Sequence, residues 1–426
     1  MRLIPGARAT PAASSSGVSA AAPRTVAPTA HGAPAVPASA TTSAVAGVVP
    51  IVPARLITLV FVAGVASLAL EMCAPRLLAP YFGTSLFIWA NVIGLFLIYL
   101  ASGYFIGGRI ADRHPEPRLL CALTAIAALA AGLIPFVSRP VLQWSVQGLQ
   151  TVNAGVFYTS LLAVILLFSI PVTLLGVVSP FAVRLSVRAV GSTGRSAGNL
   201  YALSTAGSIL GAFLPVLLLI PWLGVRRTLL TICVALLLVS LWGLDMPIAL
   251  GPRTVPARWL VAAVGILPLL PLLLPQAVPL GFLKPQPGLI AERESLYNYI
   301  QVVKQDDGTV NLVLNEGQAI HSIYNPNRVL TGWYWDYFLA APYFNSAAMG
   351  QVHRIGIIGL AGGTVARQFT QVYGANVQID GVEIDPEIVS VGRQYFAMTE
   401  PNLHVYVEDG RTFLRATHQT YDVVAI

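Results

Sequence analysis

The chain has 426 residues, 55% of them hydrophobic and only 10% charged, with a mean hydropathy of +0.71. Charged residues make up about a quarter of an ordinary soluble domain, so this balance excludes an entirely water-soluble protein and indicates a polytopic membrane protein. The formal net charge of +7 is unevenly spread: before Lys284, 16 arginines face four acids (Glu71, Asp112, Glu116, Asp245), whereas from Lys284 onward 14 acids outnumber nine Lys and Arg. The basic excess therefore belongs to tails and loops between apolar segments, where it sets orientation, and no nucleic-acid partner is expected. Cys73, Cys121 and Cys233 lie in or beside apolar runs without metal-ligand spacing and read as small buried hydrophobes; no metal is expected.

Residues 1–50 are rich in Ala, Pro, Ser, Thr, Gly and Val without periodicity, which predicts a disordered tail. From 51 to 283 the pattern predicts a transmembrane domain of about seven helices, near 56–75, 86–106, 118–137, 157–180, 199–222, 228–246 and 259–281. Each run approaches the roughly 20 residues needed to cross a bilayer core. Small residues in the fifth run, Ser204, Ala206, Gly207, Ser208, Gly211 and Ala212, suit close helix contact. Gly107 to Arg113 is similar to a short loop of major facilitator transporters, and reads equally as a solvated basic turn between helices.

Seven spans place the arginines at 109, 113, 118, 184, 188, 195, 253 and 258 on the side of the N-terminal tail, with Arg76, Arg139, Arg226 and Arg227 opposite. The positive-inside rule then puts the distal domain outside the cytoplasm. A nucleoside cofactor made in the cytoplasm argues the reverse. The expectation adopted is a multi-pass plasma-membrane protein, with the lipid bilayer as a partner and the distal domain cytoplasmic; a re-entrant run, or a further span over 138–156, would reconcile the count.

A Pro-rich linker, 284–291, precedes a change of pattern. Over 292–345 a β-hairpin is expected, with strands near 295–304 and 310–314 around the turn Asp306-Asp307-Gly308, followed by a helix near 328–343. Over 346–426 strands at 355–358, 377–384, 403–407 and 421–426 and helices at 363–373 and 386–396 alternate as a Rossmann-like parallel α/β domain requires. The expected fold class is thus a multi-span α-helical membrane domain, a small β-hairpin region and an α/β Rossmann-like domain incomplete at its C-terminus. Three groups converge on the carboxyl edge of that sheet: the turn glycines Gly359, Gly362 and Gly363, the strand-end acid Glu383, and Asp409-Gly410 after the third strand. Glycines let backbone approach a ligand, and an acid at the next strand tip accepts ribose hydroxyls. The first glycine pair is interrupted by Leu360-Ala361, which departs from the dinucleotide fingerprint, so an S-adenosyl nucleoside is favoured.

Ser295-Leu296-Tyr297-Asn298, Leu314-Asn315-Glu316-Gly317-Gln318, Tyr334-Trp335-Asp336, the 359–364 turn, Val382-Glu383-Ile384-Asp385, Glu408-Asp409-Gly410-Arg411 and Tyr421-Asp422-Val423-Val424 together resemble the spermidine synthase (polyamine aminopropyltransferase) family, in particular its membrane-fused branch. The resemblance covers about 292–426. It implies an aminopropyltransferase of polyamine biosynthesis, with decarboxylated S-adenosylmethionine or S-adenosylmethionine as co-substrate, an amine acceptor such as putrescine, and pairing as a homodimer. Glu383 matches the ribose-binding acid, Asp409-Gly410 the pair at the adenine, and Asn298 stands where the family has a cofactor-contacting Gln. Tyr334, Trp335 and Asp336 fall at the acceptor side. Two positions depart: Trp335 replaces a His or Gln that holds the polyamine, and Gly362 replaces an amine-binding Asp. The family's catalytic Asp follows the fourth strand, so it is expected just beyond Ile426, and the chain is expected to be truncated within the domain and inactive as it stands. The alternative is a membrane transporter or scaffold whose distal domain binds a nucleoside without catalysis.

Overall fold

The computed structural model describes residues 54–150, 155–186, 193–244, 247–250, 253–256, 280–344 and 351–426. The expected tail over 1–50 lies outside them, as does the seventh apolar run except its last two residues. Among the described residues, six helices are long and apolar enough to cross a membrane. These are α1 (Ala54–Phe82), α2 (Leu86–Arg113), α3 (Pro117–Gln150), α4 with α5 (Val156–Gly176 and Val178–Ser186), α6 (Thr193–Leu214), which runs on through a π turn (Pro215–Leu219) into α7 (Ile220–Leu223), and α8 (Val225–Gly243).

Prolines account for the breaks. Pro180 cannot donate to the carbonyl of Gly176, where α4 gives way to α5. Pro215 likewise cannot donate to that of Gly211, and the π turn begins there. No separate span occupies 138–150, because α3 continues through Pro135 and Pro140 as one helix. Gly107 to Arg113 form the last two turns of α2 rather than a turn between helices. Gly107 packs against the backbone of Val177, Asp112 pairs with Arg184 at 3.2 Å, and the Arg109 guanidinium lies 3.2 Å from the Phe105 ring centroid.

The small residues of α6 act as expected. A Cβ on Gly207 or Gly211 would collide with the carbonyl oxygens of Phe61 or Val65, and one on Gly64 with that of Ser204, so α1 and α6 touch backbone to backbone. Ser208 Oγ donates to the Gly64 carbonyl across this seam at 3.3 Å. The three cysteines are free and buried.

After a short hairpin, β1 (Pro247–Leu250) with β2 (Arg253–Pro256), the distal part has two sheets. The first is a four-stranded antiparallel meander, β3 (Leu289–Glu294), β4 (Tyr299–Lys304), β5 (Val310–Leu314) and β6 (Ile320–Tyr324). The expected hairpin is its centre, and β3 and β6 are additional. In place of the helix expected near 328–343 there is a 3₁₀ segment, Tyr334–Phe344. The second sheet is parallel, in the order β10-β7-β8-β9, from β7 (Arg354–Ile358), β8 (Gln378–Val382), β9 (Leu403–Tyr406) and β10 (Val423–Ala425). Helices α9 (Thr364–Tyr373), α10 (Pro386–Tyr395) and α11 (Gly410–Ala416) alternate with these strands. This is a Rossmann-like domain whose chain reverses direction in the sheet between β7 and β10, the place where such folds bind ligands.

Ile355, Ile357, Val365, Phe369, Ile379 and Val423 form its core. Ile300, Val302 and Leu312 of the meander pack on Ile388, Val391 and Phe396 of the α10 region, so one hydrophobic cluster joins the two sheets.

The meander also docks on one end of the helix bundle. Tyr81 Oη donates to the Leu283 carbonyl at 2.8 Å, and Arg226 donates to the carbonyls of Leu280 and Pro135, each at 2.6 Å. The backbone N–H of Val225, first in α8, donates to Glu294 Oε2 at 2.6 Å. Burial pushes the Glu294 carboxyl up to about 7, the Glu292 charge adding to it while the Val225 bond and the Arg76 and Arg226 charges oppose it. Folded protein then holds this proton at pH values where unfolded chain, near 4.5, has lost it. Stability is therefore expected to fall as pH rises from about 4.5 to about 7 and then level off. Thermal unfolding of detergent-solubilised protein across that window checks this, and Glu294→Gln should flatten the profile.

Candidate functional site

The β7–α9 turn explains why glycines stand in it. Gly359 (φ +84°) and Gly363 (φ +86°) occupy the left-handed region, and Ala361 does so too at φ +51°. Gly359 and Leu360 N–H both donate to the Val382 carbonyl, at 2.8 and 2.9 Å, which ties the turn to the end of β8. A side chain at Gly363 would also overlap Met398.

Glu383, one residue past β8, is 7% exposed and points back across this turn. Its Oε2 accepts the Ala361 N–H at 2.9 Å and its Oε1 the Asp385 N–H at 3.1 Å. Burial raises its carboxyl above the ordinary carboxylate value and the Asp385 charge adds to that, while the N–H groups of Ala361, Asp385 and Ile384 hold it down. A carboxylate has about four lone-pair positions, so each oxygen keeps capacity for a ribose hydroxyl beside the crevice. The turn and the acid thus come together as the sequence implied.

Asp409 and Gly410 reach the same edge. Asp409 Oδ1 caps α11, accepting from Arg411 and Thr412 N–H at 3.0 Å each. The Thr412 bond in particular holds its carboxyl below the usual range, against a desolvation that acts the other way. A side chain at Gly410 would run into Ile358, so the glycine lets the start of α11 approach the end of β7.

Asn298 sits in the turn from β3 to β4, and both ends of its amide are engaged within the protein. Nδ2 donates to Asp385 Oδ2 at 3.0 Å, and Oδ1 accepts from Asn315 Nδ2 at 3.2 Å. It approaches the cofactor edge through Asp385, a residue to which sequence reasoning gave no role. Asp385 is fully buried, caps α10 by accepting the Glu387 N–H at 3.0 Å, and accepts from Ser295 Oγ at 2.5 Å. The signal for it was present: an Asp before Pro386 is an N-cap followed by proline at the first helical position.

A cavity of about 180 Å³ opens at the ends of β7 and β10, walled by His321, Ser322, Tyr334, Trp335 and Leu360. Gly362 lies beneath it. Its N–H donates to Ser322 Oγ at 2.8 Å, and a Cβ there would be 2.9 Å from that of Ser322. Ser322 thus fills the space into which a side chain at 362 would grow. Trp335 is 5% exposed and packs into the domain core, its ring 4.1 Å from that of Tyr334. Asp336 turns away from the cavity. Its oxygens accept from Thr331 N and Oγ1 at 2.9 and 2.8 Å, from Gly332 N at 2.8 Å and from Gln368 Nε2 at 2.6 Å. Desolvation works against these bonds, but they hold its carboxyl below the ordinary value.

His321 and Ser322 were not read from the sequence, because β6 was not foreseen. Burial lowers the His321 imidazole below its ordinary value, with Glu316 opposing, which favours its neutral form. Among the described lining residues of this cavity no side chain carries a carboxylate.

Residues 345–426 match the family model described as the spermine/spermidine synthase domain. Three relatives agree with it. The chain is 38% identical over 147 residues to the "Probable polyamine aminopropyl transferase" of Bifidobacterium longum (strain NCC 2705), covering 34% of this chain and 31% of that protein. It is 31% identical over 81 residues to the polyamine aminopropyltransferase of Alkaliphilus oremlandii (strain OhILAs), covering 18% of this chain and 28% of the relative. With the polyamine aminopropyltransferase of Clostridium beijerinckii (strain ATCC 51743 / NCIMB 8052) the identity is 33% over 75 residues, or 16% and 26% of the two chains. The chain therefore spans less than a third of each of these relatives. The six apolar helices ahead of the synthase domain are consistent with a membrane-fused branch.

Proposed function

We propose that the protein is a membrane-bound aminopropyltransferase that uses decarboxylated S-adenosylmethionine and an amine such as putrescine. The observation that carries this reading is the Glu383 carboxylate, buried and fixed by the Ala361 and Asp385 N–H groups beside a glycine turn, in a domain of the synthase type. In this reading Glu383 holds the ribose hydroxyls, the 359–363 backbone lies along the nucleoside, and Asp409-Gly410 borders the base. The amine enters the cavity between Ser322, Tyr334 and Leu360 and attacks the carbon next to the sulfonium. A carbon–nitrogen bond forms, the carbon–sulfur bond breaks, methylthioadenosine leaves, and the amine gives up one proton.

The acceptor side favours one second reading: Gly362 and Trp335 stand where amine-binding groups are expected, and Asp336 is committed to its own loop. A domain that binds the nucleoside without turnover fits those features. Incubating full-length protein with decarboxylated S-adenosylmethionine and putrescine separates the two. Release of methylthioadenosine with spermidine supports transfer; nucleoside binding without release supports the second reading.

The synthase domain rests on the bundle end that carries Arg76 and Arg226, opposite the end where Asp112 pairs with Arg184 and Arg55 lies near Trp242. Charge counting alone would turn that end outward. We place the domain in the cytoplasm because its nucleoside is made there. A reporter inserted after Gly288 tests this, and an extracytoplasmic signal overturns it. Pairing as a homodimer is part of the same proposal.

A further inference from the structure

We infer that Arg76, on the first membrane helix, is a positioning residue for the nucleoside site. The inference rests on the assignment of that site to Glu383. Arg76 is half-buried near the C-terminal end of α1, and its Nη2 donates to the Leu296 carbonyl, 220 residues further along the chain. Glu294 and Asp385 both lie within electrostatic reach of its guanidinium.

Leu296 belongs to the tight turn between β3 and β4, which is built from hydrogen bonds. Ser295 N–H donates to the Asn298 carbonyl at 2.9 Å, while the N–H groups of Tyr297 and Asn298 donate to Ser295 Oγ at 3.1 and 2.8 Å. Apolar packing contributes little, since Leu296 and Tyr297 are 42% and 48% exposed. From this turn Ser295 Oγ and Asn298 Nδ2 grip Asp385 Oδ2, and Asp385 N–H in turn holds Glu383 Oε1. A continuous set of bonds thus runs from the membrane helix to the ribose acid.

Arg76 does two things in this arrangement. It pins the turn at Leu296, and it offsets the charge of Asp385, a carboxylate with no exposure to water of its own. Glu294 lies in the field of the same cation and accepts the N–H at the start of α8, so two membrane helices frame the turn. The bundle is then part of the frame of the site as well as its anchor.

The test uses the full-length protein in detergent, titrated with methylthioadenosine and followed by hydrogen exchange. Arg76→Met keeps the length of the side chain without charge or donor, and is expected to bind about tenfold more weakly, the loss of one charge-assisted hydrogen bond. Arg76→Lys restores a donor and a charge and should recover most of that loss, which a merely space-filling role would not produce. Exchange should quicken over 295–298 and not in β4 or β5. If Arg76→Met does not fold, Arg76→Gln takes its place, with a loss between those of the other two. Wild-type affinity in Arg76→Met or Arg76→Gln, alongside weakened binding by Glu383→Ala, overturns the role of Arg76 and leaves the site assignment standing. Wild-type affinity in Glu383→Ala removes the site assignment and this inference together.

Discussion

Glu383→Ala is expected to weaken binding of an S-adenosyl nucleoside by about two to four orders of magnitude. A buried carboxylate that receives two ribose hydroxyls makes two charge-assisted hydrogen bonds, each contributing roughly 1.5–3 kcal/mol, and every 1.4 kcal/mol is about tenfold in affinity. The same carboxylate accepts the Ala361 and Asp385 N–H groups, so part of the loss comes from a loosened turn. Glu383→Gln separates the two contributions. It keeps one acceptor oxygen for the protein, sets its NH2 against the other N–H and surrenders the charge, so it should restore part of the thermal stability while recovering little of the affinity. Titration with methylthioadenosine and a melting curve on the same samples check both halves. An alanine variant within about twofold of wild type in affinity would mean that the ribose lies elsewhere.

Asp385→Ala is expected to have the largest effect on stability. Three donors converge on this buried side chain: Ser295 Oγ, which is itself buried, and the half-buried Asn298 Nδ2 and Glu387 N–H at the start of α10. Alanine leaves the Ser295 and Asn298 donors unpaired and removes the cap on the Glu387 N–H, for a combined cost of about 3–5 kcal/mol, since each unmet donor costs about 1–3 and a cap about 1. Asp385→Asn should lose less. It can still cap α10, but it sets one amide against another at Asn298. Chemical denaturation followed through an intrinsic fluorophore of the distal domain, such as Trp335, measures the difference. A loss below about 1 kcal/mol for the alanine variant would show that the turn and α10 are joined by something other than this carboxylate.

Features whose cause is local could be read from the sequence. The 359–363 turn demands positive φ at two glycines, and Glu383 follows directly from the end of an apolar strand, so both were identifiable before any contact was known. The membrane helices are legible because apolar runs of that length have few other uses. Elements whose pattern is set by neighbours were harder. The β3 strand, Leu-Ile-Ala-Glu-Arg-Glu, straddles the boundary drawn after residue 291, and its charges are matched by distant partners, Glu294 by the start of α8 and Arg293 by Glu387, rather than by a local pattern. The β6 strand is only five residues, Ile-His-Ser-Ile-Tyr, and its Ser322 is buried because Gly362 has no side chain. The segment near 328–343 has helix-like composition but settles as a 3₁₀ turn whose loop is organised by Asp336. Gly107 to Arg113 looked like a polar turn; Gly107 instead packs on Val177, and Asp112 is paired with Arg184, which lets α2 continue.

The links that join the site to its frame were the least legible. Ser295 and Asp385 are 90 residues apart, and no periodicity connects Arg76 to Leu296. Asn298 illustrates the difference between the two kinds of information. Its position matched a cofactor-contacting residue of the family, whereas its amide is occupied by Asp385 and Asn315. In the proposed site its part is to place Asp385 and, through it, Glu383.

The proposed function requires that the carboxyl edge around Glu383 receive an S-adenosyl nucleoside. Calorimetric titration of full-length protein with decarboxylated S-adenosylmethionine, S-adenosylmethionine and methylthioadenosine tests it most directly. Saturable one-site binding of the decarboxylated form and of methylthioadenosine is expected, and its loss in Glu383→Ala. Absence of binding for all three nucleosides, or binding that Glu383→Ala leaves unchanged, would contradict it.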